Sequence, residues 1–205
     1  MKPCARRLRR FWALPVLVLL PAPAQAHLVQ TGFGGFYDGI AHVLVTAQDL
    51  LLVLALGLLA GLRGKPESRQ LIVLLPATWV VAGWSGAALF AGRELDGWTT
   101  FSLVLVGGLV AADARVPKGV LGGIAVVAGS LHGLANGASL AAQGEPWLAM
   151  TGVGLAVFTL ATLAAALVVS LRAEWSRVAV RVGGSWVAAC GILLLAWSLR
   201  GPGST

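Results

Sequence analysis

Residues 147–171 read WLAMTGVGLAVFTLATLAAALVVSL, a stretch of 25 positions without a charged side chain. An α-helix rises about 1.5 Å per residue, so about 20 apolar residues cross a hydrocarbon layer that is about 30 Å thick. A strand of a membrane barrel would instead alternate apolar and polar positions. The stretch therefore predicts a transmembrane α-helix.

Stretches of the same kind lie before and after it. Hydrophobic residues make up 58% of the 205-residue chain and charged residues only 11%, whereas soluble domains carry about 25% charged residues. So few charges do not cover a water-exposed surface. The sequence predicts an all-α fold, a polytopic transmembrane helical bundle of six spans. The other five predicted spans are residues 37–62, 70–92, 98–114, 119–142 and 182–199.

The N-terminal residues have the three parts of a secretory signal peptide. Five basic residues precede the apolar run 11–20, and the small residues of Pro-Ala-Pro-Ala-Gln-Ala end at Ala26. The apolar run is too short to span a membrane, and the small residues suit cleavage. We predict that residues 1–26 are removed and that residues 27–205 form one membrane domain. The alternative is an uncleaved N-terminal anchor.

The distribution of lysine and arginine predicts the orientation. A cleaved signal peptide places His27 outside, so the first, third and fifth breaks between spans face the cytoplasm, where basic residues concentrate. Eight basic residues lie in those breaks and two lie on the other side, which predicts a bacterial inner-membrane protein with both mature termini in the periplasm. The eight are Arg63, Lys65, Arg69, Arg115, Lys118, Arg172, Arg177 and Arg181, and the two are Arg93 and Arg200.

The net charge of +7 does not indicate binding to nucleic acid. Five of the fifteen basic residues belong to the predicted signal peptide, which leaves ten basic and eight acidic residues, a charge of +2, in the mature chain. The two cysteines also exclude a disulfide framework and a thiolate metal cluster. Cys4 leaves with the signal peptide, and Cys190 lies within an apolar span.

Polar side chains within the first predicted span share one spacing. Ionisable residues are costly inside a bilayer, so they mark functional candidates that face the bundle interior. His42, Thr46 and Asp49 are separated by four and three residues, which predicts one stripe along a continuous helix.

The fourth predicted span repeats that spacing with His132, Asn136 and Ser139. The first span descends from the outer face and the fourth ascends toward it. Matching residues by depth at about 1.5 Å per residue predicts a polar ladder from the outer surface to near the midplane. Its pairs are Asp49 with His132, Thr46 with Asn136, and His42 with Ser139.

Imidazole and carboxylate groups together suit divalent ions such as nickel, cobalt or zinc. The predicted metal-binding residues are His42, Asp49, His132 and Asn136, with His27 at the entrance. An Asp–His pair that only locks two helices together is the alternative, and spacing alone does not separate the two. We expect no permanently bound cofactor. We also expect no enzymatic activity, because no Ser–His–Asp order, zinc-protease motif or paired carboxylates are found.

Glycines of the fourth predicted span recur every four residues. Gly129, Gly133 and Gly137 predict a smooth stripe on which another helix packs closely. The alternative is loose packing without further consequence.

The two polar stripes resemble two signatures of the HupE/UreJ family. The first has the form Gly-Phe…His-Pro-x-x-Gly-x-Asp-His-Leu-Leu-Ala-Met-x-Ala-Val-Gly-Leu. The chain has Gly35-Phe36, then His-Val-Leu-Val-Thr-Ala-Gln-Asp at 42–49 and Leu-Leu-Leu-Val-Leu-Ala-Leu-Gly-Leu at 50–58. The second, His-Gly-x-Ala-His-Gly-x-Glu, is similar to His-Gly-Leu-Ala-Asn-Gly-Ala-Ser at 132–139. Motif similarity covers about thirty residues, and the arrangement of spans extends it over nearly the whole mature chain.

The resemblance implies a nickel or cobalt permease that accompanies nickel enzymes, with the lipid bilayer, the metal ion and metalloenzyme maturation proteins as partners. His42 and His132 keep the family's histidines. A docking or accessory membrane protein with a degraded metal site is the alternative, because several motif positions differ. At these positions the chain has Gln48 in place of the family's Asp, Asp49 in place of His, Val43 in place of Pro, Thr46 in place of Gly, Asn136 in place of His and Ser139 in place of Glu.

Overall fold

The computed structural model describes residues 31–93, 96–142 and 146–199. These residues form seven α-helices and no strand, which confirms the all-α prediction for this part of the chain. The predicted signal peptide, residues 1–26, and His27 lie outside the described residues. The helices are α1 Gly35–Val45, α2 Ala47–Arg63, α3 Lys65–Leu89, α4 Asp96–Ala111, α5 Lys118–Ala141, α6 Pro146–Ser170 and α7 Glu174–Leu199.

Four helices, α3, α5, α6 and α7, are each long and apolar enough to cross a membrane. Helices α1 and α2 reach that standard only together, as a pair bent by 75°. Helix α4 is apolar but has only 16 residues. The described helices therefore supply four candidate spans, or five if the bent pair is one span. The membrane-type bundle is confirmed, and the count of six stays a prediction that also requires α4 to cross.

The prediction of one continuous first helix was wrong. Thr46 has extended backbone angles, φ −80° and ψ 99°, and separates α1 from α2. Its amide still donates to the His42 carbonyl at 2.9 Å, and its own carbonyl accepts from the Asp49 amide at 3.0 Å. The β-branched residues beside the break, Val43 and Val45, favour helix only weakly. The break therefore costs little locally, because Thr46 keeps a backbone hydrogen bond to each half-helix.

Helix α2 is the centre of the bundle and contacts each of the other six helices. Its middle turns are fully buried through Leu52, Leu56 and Leu59. Helix α4 runs parallel to α2, since Gln48 contacts Thr100 near one end and Arg63 contacts Asp113 at the other. Large apolar side chains such as those of Leu163 and Leu193 are exposed on the outside of the bundle, as expected of a lipid-facing surface.

Glycines set the closest helix contacts. A Cβ at Gly133 would overlap the Trp79 carbonyl oxygen, and a Cβ at Gly137 would overlap that of Gly83. The predicted glycine stripe of α5 is thus confirmed, with the parallel helix α3 as its partner. Helices α4 and α7 pack antiparallel in the same way, because a Cβ at Gly107 would lie 2.9 Å from the Ala188 Cα.

Asp113 joins three parts of the chain at the end of α4. It accepts hydrogen bonds from Arg63 of α2 and, at 2.8 Å, from Arg177 of α7. Burial acts to raise the pKa of Asp113, but the hydrogen bonds and charges of the two guanidinium groups outweigh burial and hold that pKa below its usual value. The partners of Asp113 are thus two arginines that are distant along the chain, Arg63 and Arg177, and not the neighbouring Arg115.

The last span begins earlier than predicted, at Trp175 rather than residue 182. The charged residues of 172–181 led to the prediction of a loop. Their charges are accommodated within the helix, because Arg177 pairs with Asp113 and Arg181 Nε donates to the Ala111 carbonyl at 2.9 Å.

Candidate functional site

Asp49 lies in the first turn of α2 and is only 2% exposed. Its Oδ1 is 2.7 Å from His132 Nδ1 on α5, and its Oδ2 is 3.9 Å from His42 Nε2 on α1. Oδ2 is buried and has no hydrogen-bond partner among the described residues. The pairing of Asp49 with His132 that we predicted from depth is confirmed.

His42 approaches Asp49 because the helix breaks between them. On a continuous helix two residues seven positions apart are separated by about 10 Å along the axis. The bend of 75° at Thr46 folds α1 across the start of α2 and brings the two side chains together. His42, Asp49 and His132 therefore form one cluster. The predicted polar ladder, which placed His42 at a different depth from Asp49 and His132, was wrong for His42.

The second ring nitrogen of His132 contacts Ser102 on α4, a residue that the sequence did not indicate. Nε2 is 2.9 Å from Ser102 Oγ, which is 2.6 Å from the Thr99 carbonyl oxygen. A carbonyl only accepts hydrogen bonds, so the single serine hydrogen goes to Thr99 and Ser102 accepts from His132 Nε2–H. One further proton is then shared by His132 Nδ1 and Asp49 Oδ1.

The contacts Asp49–His132–Ser102 follow the order of a Ser–His–Asp hydrolase, although the positions of these residues along the chain did not suggest it. A nucleophilic serine needs its Oγ at the substrate. Ser102 is buried and does not line the neighbouring cavity, and its hydroxyl donates to Thr99. Its contacts therefore fit a role in positioning His132.

Helix α4 also fixes Gln48. The Gln48 amide donates to Thr100 Oγ1 at 3.0 Å and accepts from Thr99 Oγ1 at 3.2 Å. These hydroxyl groups were not predicted as part of the site. The available signal was the concentration of Thr99, Thr100 and Ser102 at the start of an otherwise apolar span.

A cavity of about 340 Å³ lies beside the cluster. The last carbonyls of α1 have no helical partner and carry the negative end of the helix dipole, which favours a cation there. Asn136 adds a side chain that is 5% exposed and whose Nδ2 has no partner among the described residues. The cavity is lined by His42, Val45, Thr46, Ala47, Gln48, Asp49, Thr99, Ala135, Asn136, Ser139 and Leu194.

The predicted metal-binding residues thus divide into two groups. His42, Asp49 and Asn136 line the cavity, whereas His132 is fully buried behind Asp49 with both ring nitrogens engaged. Across residues 31–93, 96–142 and 146–199, no three His, Cys, Asp or Glu side chains are arranged to hold a metal ion together. Metal binding by these residues stays a prediction.

Replacing Ser102 with alanine should lower the unfolding temperature of the purified protein, because His132 Nε2–H would lose its acceptor in a buried site. Leaving a buried donor unsatisfied typically costs about 1–3 kcal/mol. Ser185→Ala is the matched control, since Ser185 is exposed and donates only to the Arg181 carbonyl of its own helix. Equal unfolding temperatures for the two variants in the same detergent would contradict the positioning role.

Comparison with known proteins gives a match to one protein family. The family model described as HupE / UreJ protein matches residues 15–194, well over half of the chain. The match includes helices α1 to α6 and both polar motifs, and it confirms the resemblance seen in those motifs. No curated protein and no solved structure matches the chain significantly.

Proposed function

Because the chain belongs to the HupE/UreJ family, we propose that it is a permease that moves a divalent transition-metal ion, nickel or cobalt, across the inner membrane. One observation carries the proposal: Asp49 lines a cavity, and its buried Oδ2 has no hydrogen-bond partner in the described residues. A buried, unsatisfied carboxylate oxygen is costly, and a cation would satisfy it. Imidazole and carboxylate donors suit nickel and cobalt.

The transported ion would bind between His42 Nε2 and Asp49 Oδ2. The side chains of Gln48 and Asn136 line the same cavity, and their amide oxygens would be weak ligands beside water. His132 would act through Asp49, whose carboxylate it orients. This ligand set is smaller than that of a structural metal site, in which four protein ligands surround the ion completely. A permease must release its ion, so a small and open ligand set supports transport better than storage.

The broken helix supports the same site. In several transporter folds, ions bind where a membrane helix is interrupted, because the freed backbone groups and helix ends face the ion. Here the end of α1 and the start of α2 meet at the cavity through Val45, Thr46 and Ala47.

We also propose that the protein crosses the inner membrane six times, with both mature termini in the periplasm. Helix α4 runs beside α2 from Gln48 to Arg63, which supports a crossing of the same layer by both helices. The distribution of lysine and arginine supports a cytoplasmic position for the Asp113 cluster.

Uptake in cells without other permeases tests the proposal. His132→Ala should reduce nickel- or cobalt-dependent uptake at least about tenfold at unchanged protein level, as expected when the partner of a metal-binding group is removed. His42→Ala should instead raise the metal concentration needed for half-maximal uptake. Thr162→Ala is the control, because Thr162 is half-buried and its hydroxyl donates to the Phe158 carbonyl of its own helix, α6. Normal uptake by His132→Ala would contradict the proposal.

The second candidate is a docking or accessory protein that keeps the fold without transport. The absence of a three-ligand group from the described residues favours it, as do the exchanges at Gln48, Asn136 and Ser139. Its partners would be metalloenzyme maturation proteins. Co-purification of such a partner, with no metal by elemental analysis and no uptake, would select this candidate.

A further inference from the structure

A second cavity lies at the other end of the bundle from the His42–Asp49 cluster. Helices α3 and α5 begin side by side there, and a space of about 580 Å³ opens between their first turns. Three cationic side chains line it, those of Lys65, Arg69 and Lys118, and no acidic residue does. The free amide groups of two helix N-termini add positive potential at the same place.

These three cations have no acidic partner within the part of the chain that the structure describes. The ion pairs there involve His42, His132, Arg63 and Arg177, and none includes the cavity's lysines or arginine. Glu67, on the same turn as Arg69, is in none of these pairs either. Three like charges around one cavity repel each other, so an anion bound between them would stabilise this end of the bundle.

The cavity also has an apolar wall. Val73 and Leu74, one turn further along α3, line it together with the cations. Val73 is 62% exposed, which in a membrane-spanning helix indicates contact with lipid. A charged mouth continuous with a lipid-facing wall suits a molecule that has an anionic headgroup and an acyl chain. It suits free phosphate less well, because free phosphate makes no use of the wall.

We propose that this cavity binds the headgroup of an anionic phospholipid. Lys65, Arg69 and Lys118 contact the phosphate, and an acyl chain lies along Val73, in the leaflet at which α3 begins. Basic pockets between membrane helices recognise phosphate headgroups through the same combination of charge and depth. The proposal does not depend on metal transport.

The test measures the unfolding temperature of the full chain in nanodiscs of phosphatidylcholine, with and without about 30% phosphatidylglycerol, which is a large excess of anionic lipid over one binding site. Phosphatidylglycerol should raise the unfolding temperature of the unaltered protein. The triple variant Lys65→Gln, Arg69→Gln, Lys118→Gln should lose at least about half of that gain, and Arg69→Gln alone should lose part of it.

Arg115→Gln is the matched control. Arg115 is exposed near the start of the same helix as Lys118 but lines neither this cavity nor the one beside Asp49, and this variant should keep the full gain. If Arg115→Gln and Arg69→Gln lose the same part of the gain in unfolding temperature, the gain comes from general surface charge and the proposal is overturned. Stabilisation of the same size by inorganic phosphate in pure phosphatidylcholine would overturn the lipid assignment. If the triple variant does not fold, the comparison of the two single variants decides.

Discussion

Asp49→Asn should strongly reduce metal uptake while leaving the fold intact. Asparagine has nearly the shape of aspartate and can still hydrogen-bond to His132, so the contact between α2 and α5 is kept. It removes the negative charge beside His42, where the ion would bind. We expect the initial rate of nickel or cobalt uptake, per molecule of folded protein, to fall at least about tenfold, since a neutral amide is a poor ligand for these ions.

Asp113→Asn makes the same chemical change at the other end of the bundle. It removes the charge that Arg63 and Arg177 share, so it should lower stability without changing uptake per folded molecule. If both variants reduce uptake equally, Asp49 has no special role in transport, and the docking function becomes the better explanation.

The largest effect on folding is expected from Gly137→Ala. The added Cβ would overlap the carbonyl oxygen of Gly83 and lie 2.7 Å from its carbonyl carbon. These are backbone atoms, so helices α3 and α5 must separate. Overpacking of this kind typically costs about 1–3 kcal/mol or more. The unfolding temperature and the yield of monodisperse protein in detergent should both fall.

Gly123→Ala on the same helix is the control, because a Cβ at Gly123 would have nothing within 4 Å. Alanine is a better helix former than glycine by about 1 kcal/mol, so this variant should be neutral or more stable. Similar losses in the two variants would mean that close packing between α3 and α5 does not determine stability.

The positions of the apolar stretches predicted most of the helices, and the glycine spacing predicted where two of them pack closely. The Asp49–His132 pair was also predictable, because depth along a helix follows directly from residue number. These features depend on one property that sequence shows well, the periodic placement of apolar, small and polar residues along a single helix.

The break at Thr46 was not predictable in this way. Hydropathy does not distinguish a straight helix from a bent one, and the residues around Thr46 are compatible with both. The bend is set by distant residues: a Cβ at Gly39 would overlap the Ala149 carbonyl, and a Cβ at Gly152 that of Phe36. Close packing of α1 on α6 therefore turns α1 away from the axis of α2. Ser102 and its threonine neighbours were missed because their roles depend on partners on α2 and α5.

The tight antiparallel packing of α4 on α7 has a mechanical consequence for the cavity. The backbones approach closely at Gly107 and Ala188, so α4 and α7 resist sliding past each other. The two helices therefore behave as one rigid unit. Thr99 of α4 and Leu194 of α7 both line the cavity. The cavity wall that α4 supplies and the apolar edge that α7 supplies therefore move together. Widening the cavity on that side requires both helices to be displaced at once.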